Sequence, residues 1–187
     1  MEVFLFLKIK SGIFSNKVNL LHIAPEHCLI DTLKKSKNIL YTSIDLESPL
    51  ADMKMDIHNI KFSDEVYDFV ICNHVLEHVN NDLMVLKEIF RVLKKEGKGI
   101  IQVPFFFPIP EKTFEDKTIT SKKEREKLFG QYDHVREYGL DFKERVEKIG
   151  FDIELIDYIK KISSDLVEKY SLKKDDFIPI ARKLISN

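Results

Sequence analysis

The run Tyr67-Asp68-Phe69-Val70-Ile71-Cys72-Asn73-His74-Val75-Leu76-Glu77-His78-Val79 carries most of the architectural information in this chain. Its first six residues are β-branched, aromatic or apolar apart from Asp68, the signature of a strand buried on both faces. Asn73 and His74 follow at once, so polar chemistry sits at that strand's carboxyl end. Downstream, Leu83, Leu86, Ile89, Phe90 and Leu93 recur at three- and four-residue steps, which predicts a helix over 81–95 with one apolar face, stopped by Gly97. Gly99 to Pro104 then reads as the next strand. Upstream, the same alternation recurs. Val18 to Ile23, Asn38 to Asp45 and Met53 to Ile57 read as strands, with a helix-compatible stretch from Asp31 to Lys37. Towards the carboxyl end come a helix over 140–148 closed by Gly150, a strand over 151–158 and a last strand over 177–181. Strands alternating with helices predict an α/β fold with a largely parallel sheet.

Composition narrows the class. The 187 residues are 44% hydrophobic and 33% charged, too apolar for disorder and ordinary for one globular domain spanning 1–187. The net charge of −1 supplies no field that would draw the chain onto nucleic acid or anionic lipid. Ile100 to Pro110, the longest near-apolar stretch, contains Gln102 and prolines and cannot span a bilayer. Met1 to Lys8 has no basic residue ahead of its apolar run, which makes a poor secretion signal and resembles the tail of a helix. Cys28 and Cys72 are the only cysteines and form no Cys-x-x-Cys pair, so a thiolate metal site and a disulfide scaffold are excluded within the chain. A reducing, cytoplasmic setting is the expectation. Two segments exceed a minimal unit. Residues 105–139 form a long excursion, the kind that serves as a lid or binding loop. Residues 160–176 are lysine-rich and read as a solvated face.

The strand ends supply the candidate chemistry. The first strand exits through Leu21-His22-Ile23-Ala24-Pro25-Glu26-His27, a turn with no glycine. A dinucleotide's pyrophosphate needs glycines there, so that backbone amides can approach it, and Glu26 would repel phosphate. A nucleoside without phosphates is still accommodated. Asp45 follows Ala24 by 21 residues, close to the offset of an acidic ribose ligand in nucleotide folds, and Leu46 stands beside it. Asp56 and Ile57 end the third strand, where a carboxylate can accept the exocyclic amine of adenine and an apolar side chain can cover the ring. Asn73 and His74 end the fourth. All four tips share the carboxyl edge where open α/β sheets bind ligands.

Taken together, these stretches resemble a class I S-adenosylmethionine-dependent methyltransferase. The quoted run, followed by Glu88-Ile89-Phe90-Arg91-Val92-Leu93-Lys94-Lys95-Glu96-Gly97, carries the likeness. More narrowly, the chain resembles a methyltransferase-11-like group through Leu21 to Glu26 and through Phe129-Gly130-Gln131-Tyr132-Asp133-His134-Val135-Arg136. The resemblance implies a Rossmann-like seven-stranded sheet in the order 3-2-1-4-5-7-6 with the seventh strand antiparallel, flanked by helices. It implies S-adenosylmethionine as cofactor and names no acceptor beyond a small molecule. It places His22, Ala24, Pro25 and Glu26 at the methionine part of the cofactor and Asp45 at the ribose. Leu46, Asp56 and Ile57 fall at the adenine, and Asn73 and His74 fall beneath the sulfonium.

The excursion supplies the acceptor side. Histidine titrates near neutrality and a carboxylate can orient it, so His134 is the expected base and Asp133 its partner. Arg136 is one of five arginines in a lysine-rich chain, and its planar fork suits an anionic substrate group. Gln131, Tyr138 and Phe106 complete the expected substrate contacts. Two rival readings remain. His74-Val75-Leu76-Glu77-His78 matches a His-x-x-Glu-His zinc peptidase motif, but it abuts a strand rather than lying on a helix, and no metal is expected. The chain could also be a non-catalytic module that keeps the fold. Oligomeric state is not fixed by the sequence.

Overall fold

In the computed structural model, residues 2–172 and 177–184 are described. The last four positions of the lysine-rich 160–176 stretch lie outside them. The opening apolar run forms a helix, α1 (Glu2–Ile9), and β1 (Val18–Ile23), α2 (His27–Lys35) and β2 (Ile39–Asp45) follow. Next come β3 (Met53–Lys54), β4 (Tyr67–Asn73), α3 (Asp82–Val92) and β5 (Leu93–Gln102). The excursion holds β6 (Phe114–Glu115), α4 (Lys122–Phe129) and β7 (Arg136–Glu137), and α5 (Phe142–Glu147) and β8 (Phe151–Ile156) follow. A short α6 (Ser164–Lys169) precedes the final β9 (Ile178–Lys183).

Seven strands form one sheet in the order β3-β2-β1-β4-β5-β9-β8. The two short strands of the excursion pair only with each other, antiparallel, so chain numbering departs from the expected 3-2-1-4-5-7-6. The sheet is parallel from β3 to β5 and mixed beyond, because β9 runs antiparallel to both β5 and β8. Strand alternation divides the apolar residues between two faces. In β4, Val70 and Cys72 join a core with Val85, Leu86, Ile89 and Val92 of α3 and Phe142 and Val146 of α5. Phe69 and Ile71 point the other way, to Leu5, Phe6 and Leu7 of α1 and Leu29 and Leu33 of α2. Two-sided burial explains why these strands read as unbroken apolar runs.

Three boundaries differ from the sequence reading. The helix expected over 81–95 ends at Val92, because Leu93 is fully buried and already pairs with Tyr67. The pairing then skips to Phe69 and Lys98, and the extra residues, with Glu96 at φ 63°, form an irregularity that Gly97 belongs to rather than a helix stop. The buried face of α3 uses Val85 in place of Leu83, which is 38% exposed. Its start is fixed by Asn81, whose side chain accepts the Met84 amide at 3.1 Å. The third strand stops at Lys54, so Asp56 lies in a turn beyond it. No helix among the described residues is long and apolar enough to cross a membrane.

Candidate functional site

The parallel strands β1, β2 and β4 end side by side, with Ile23 paired to Ile44 and to Cys72. The residues that follow them therefore meet at one edge. Ala24 leaves β1 with φ 50° and His74 leaves β4 with φ 51°, left-handed conformations that cost a non-glycine residue about 1–3 kcal/mol each. Ala24 thus adopts, without a glycine, the backbone turn that glycine usually makes here. It is held by its amide on the Ile44 carbonyl at 2.9 Å.

Glu26 is the focus of this edge. Its Oε2 lies 2.6 Å from His22 Nε2 and its Oε1 accepts the Asn73 side-chain amide at 2.8 Å. Burial acts to raise its pKa, but the His22 and Asn73 contacts outweigh it and hold the carboxyl below the ordinary value. The other nitrogen of His22 lies 3.0 Å from the Tyr41 hydroxyl, whose own pKa burial pushes up to about 12. His22 is fully buried. Expected at the cofactor, it is placed with its Nε2 on Glu26 and orients that carboxylate. Each Glu26 oxygen keeps a second lone pair for a further donor. Asn73 is buried, and its Oδ1 has no hydrogen-bond partner among the described residues.

A cavity of about 130 Å3 is bounded by Glu26, Cys28, Leu29, Asn73, His74 and Gln102, with Glu2, Val3 and Phe4 of α1 as its outer wall. Along the same edge, Asp45 accepts the Glu47 and Ser48 amides at 2.7 and 2.6 Å through Oδ1 alone. Leu46 beside it is 55% exposed, although it is apolar. Asp56 accepts both the amide and the Nδ1 of His58 at 2.8 Å, contacts that hold it below the ordinary carboxylate range. Ile57 packs partly against the core. Pro25 is buried beneath the turn.

The excursion departs most from expectation. Arg136 was expected to face an anionic substrate, but only 2% of it is exposed. Its guanidinium donates to the carbonyls of Leu76, Val79 (2.7 Å) and Asn80 (3.4 Å) and to Glu115 at 3.0 Å. It therefore clamps the 76–80 turn onto the β6–β7 pair. Tyr138 is also buried rather than substrate-facing, and its hydroxyl donates to Asp82 at 2.9 Å. Asp82 further takes Arg145 through both oxygens, at 2.7 and 3.0 Å. Burial would raise the Asp82 pKa, but Arg145 and Arg136 overcome it and lower it. Phe106 lies over Gly130, which ends α4 at φ 82° where an added Cβ would meet the ring at 2.8 Å. Gln131 is exposed and donates to Asp133 at 2.8 Å.

Asp133 and His134 do not pair as expected. Asp133 sits 3.3 Å from His78 Nδ1, and His134, nearly buried, has its Nδ1 2.9 Å from the Phe129 carbonyl. The rings of His78 and His134 meet edge to face, with centroids 4.8 Å apart. Glu77, 1% exposed, lies beside them, and its Oε1 is 3.2 Å from His74 Nδ1. The structure thus joins the β4 exit to the excursion through Glu77 and His78, which the sequence reading had not assigned to the site. The peptidase motif does not form, because residues 74–78 make a turn and not a helix.

Comparison with known proteins agrees with this geometry. Residues 17–101 match the family model described as a methyltransferase domain. Two uncharacterized proteins of Methanocaldococcus jannaschii are similar. One is 40% identical over 77 residues, covering 38% of this chain and 34% of that protein. The other is 30% identical over 117 residues, covering 62% and 53%. The chain thus spans from a third to about half the length of these curated relatives. Among solved structures, a SAM-dependent methyltransferase of Archaeoglobus fulgidus superposes with TM-score 0.59 at 14% identity, over 98% of this chain and 95% of that one. Phosphoethanolamine N-methyltransferase 2 of Haemonchus contortus, in complex with S-adenosyl-L-methionine, gives 0.64 at 15% identity, over 98% and 52%. The fold is that of class I methyltransferases. The domain match and the fold together support S-adenosylmethionine as the cofactor.

Proposed function

We propose that this chain transfers a methyl group from S-adenosylmethionine to a small-molecule acceptor. The supporting observation is the row of polar groups at one sheet edge: the Glu26 carboxylate steered by His22 and Asn73, followed by Asp45 at the tip of β2. The free lone pairs of Glu26 suit the cofactor's ammonium, and the orphaned Oδ1 of Asn73 suits a second donor from the same end. Asp45 Oδ2 takes both ribose hydroxyls, Leu46 and Ile57 flank the adenine, and Asp56 takes its exocyclic amine. Phosphate is unwelcome because the turn after β1 presents Glu26.

The reaction asks for positioning first. The acceptor's lone pair attacks the sulfonium methyl in line, the carbon–sulfur bond breaks, and its electron pair stays on sulfur as S-adenosylhomocysteine. Holding the two reactants at about 3–3.5 Å supplies much of the rate. The acceptor side is lined by His74, His78 and His134 with Glu77 and Asp133. The carbonyl facing His134 Nδ1 leaves the Nε2 lone pair as the side of the ring open to the acceptor region. Residues 1–187 act as one domain, with 105–139 as the acceptor-side cap. The cofactor setting is cytoplasmic, with neither nucleic acid nor membrane as partner.

The methionine end needs room. Small-molecule sites run to about 300–1,000 Å3, so the first turn of α1 has to swing away from Glu26 when the cofactor enters. Calorimetric titration with S-adenosylmethionine, in native protein and in Asp45→Ala, tests the reading. Two charge-assisted hydrogen bonds of about 1.5–3 kcal/mol predict at least ~100-fold weaker binding in the variant. Equal affinity would remove Asp45 from the ribose, and heat from neither protein would favour the non-catalytic module.

A further inference from the structure

We propose that Glu77, His78 and His134 form a binding site for one divalent first-row transition-metal ion, zinc being the simplest case. One ligand atom from each of the three lies within 4.8 Å of the others. Both rings are held by a neighbour. A carbonyl can only accept, so His134 carries its proton on Nδ1, where it faces Phe129 O at 2.9 Å, and its Nε2 keeps the lone pair. His78 Nδ1 lies 3.3 Å from the Asp133 carboxylate, an ion-pair contact that turns the Nδ1 side of the ring towards Asp133. Histidines that ligate metals are oriented in this way, with the far nitrogen on a carboxylate or a backbone carbonyl.

Glu77 supplies the independent observation. Its side chain is 1% exposed, and its Oε2 has no hydrogen-bond partner among the described residues. A buried carboxylate oxygen without a partner costs several kcal/mol unless a cation or donor meets it. The main chain holds it in place, since Glu77 O accepts the Val135 amide at 2.8 Å and so fixes the turn against the residue next to His134. Bonds of about 2.0–2.2 Å to a tetrahedral ion put donor atoms roughly 3.4 Å apart. The donor atoms, within 4.8 Å of one another in this structure, therefore draw together by roughly an ångström when the ion enters. Two imidazoles and one carboxylate select zinc, manganese or iron over magnesium and calcium, which prefer all-oxygen sites.

Three protein ligands leave a coordination position open, and His78 is only partly covered. On the methyl-transfer reading, and resting on it, that position receives an acceptor oxygen and lowers the pKa of its proton. The metal site itself stands without that reading.

The test is direct metal binding to the chelator-stripped chain, by calorimetry with zinc chloride, manganese chloride and magnesium chloride. One equivalent per chain is expected. Glu77→Gln, His78→Gln and His134→Gln each weaken it at least ~100-fold, and Asp133→Asn weakens it ~10–100-fold through His78. His58→Gln, whose ring pairs with Asp56, binds like the native chain. Circular dichroism checks each fold; if the two buried variants unfold, the partly exposed His78→Gln decides. Absence of binding, native affinity in His78→Gln, or magnesium bound as tightly as zinc overturns the proposal. Because no turnover is measured, its failure and that of the methyl-transfer reading are told apart.

Discussion

Replacing Arg136 with alanine separates a structural clamp from a substrate anchor. The guanidinium is buried and donates to the Leu76, Val79 and Asn80 carbonyls and to Glu115. Glu115 is 38% exposed and keeps Arg145 at 2.8 Å, so it tolerates the loss. The cost falls on the carbonyls of the 76–80 turn, which are left without donors inside the protein. An unsatisfied buried acceptor costs about 1–3 kcal/mol, so stripping the donor from three carbonyls costs about 3–5 kcal/mol in all. Against a typical stability of about 5–15 kcal/mol, that is a large fraction. In urea, with a slope near 2 kcal/mol per molar, the unfolding midpoint falls by about 1.5–2.5 M at unchanged slope. Arg136→Lys recovers less than half, because a compact ammonium places its donors at one point and cannot span the three carbonyls that the planar fork reaches. A variant within about 1 kcal/mol of native stability would refute the clamp and return Arg136 to the substrate.

The Asp82 network predicts an acid-sensitive contribution. Its pKa is depressed in the folded chain, so the stability it lends is complete above the unfolded value of about 3.9 and is lost as pH falls through the folded one. Asp82→Asn is therefore less stable than native at pH 7, and the gap narrows as pH drops below about 4; a gap that widens in acid contradicts the assignment. Gly139→Ala brings a Cβ to 2.5 Å from the Lys112 carbonyl carbon and 2.7 Å from the Pro110 oxygen, all backbone. It should cost about 1–3 kcal/mol in chemical denaturation, and a neutral result would mean that the β6 approach is looser than described.

How much was legible follows from where the information sits. β1 and β4 announce themselves because residues such as Leu21 and Val70 are buried on both faces, and burial of that kind shows in composition. Asp45 at the tip of β2 was legible for the same reason, since a strand's end fixes where the next polar residue lands, whereas Asp56 lies two residues past the end of β3. Leu93 was not: as the last apolar residue of a helical stripe it reads as helix, and only pairing with Tyr67 across the sheet draws it into β5. Arg136 and Tyr138 misled because sequence does not tell whether a polar side chain faces a cleft or carbonyls brought in from some 60 positions away. His22 is a milder case: its burial and its contact with Glu26 come from the strand packing that sequence alone does not display. Glu77 and His78 were visible as a motif with His74, which Glu77 does meet at 3.2 Å, but the sequence did not show that His134 joins them from the excursion.

The crystal structure of the chain grown with S-adenosylhomocysteine tests the central claim most directly. The account predicts the amino group against Glu26, the ribose on Asp45, the adenine between Leu46 and Ile57, and the first turn of α1 moved away from Asn73. A crevice still closed by Glu2, Val3 and Phe4 at saturating ligand, or the ligand bound elsewhere, would contradict it.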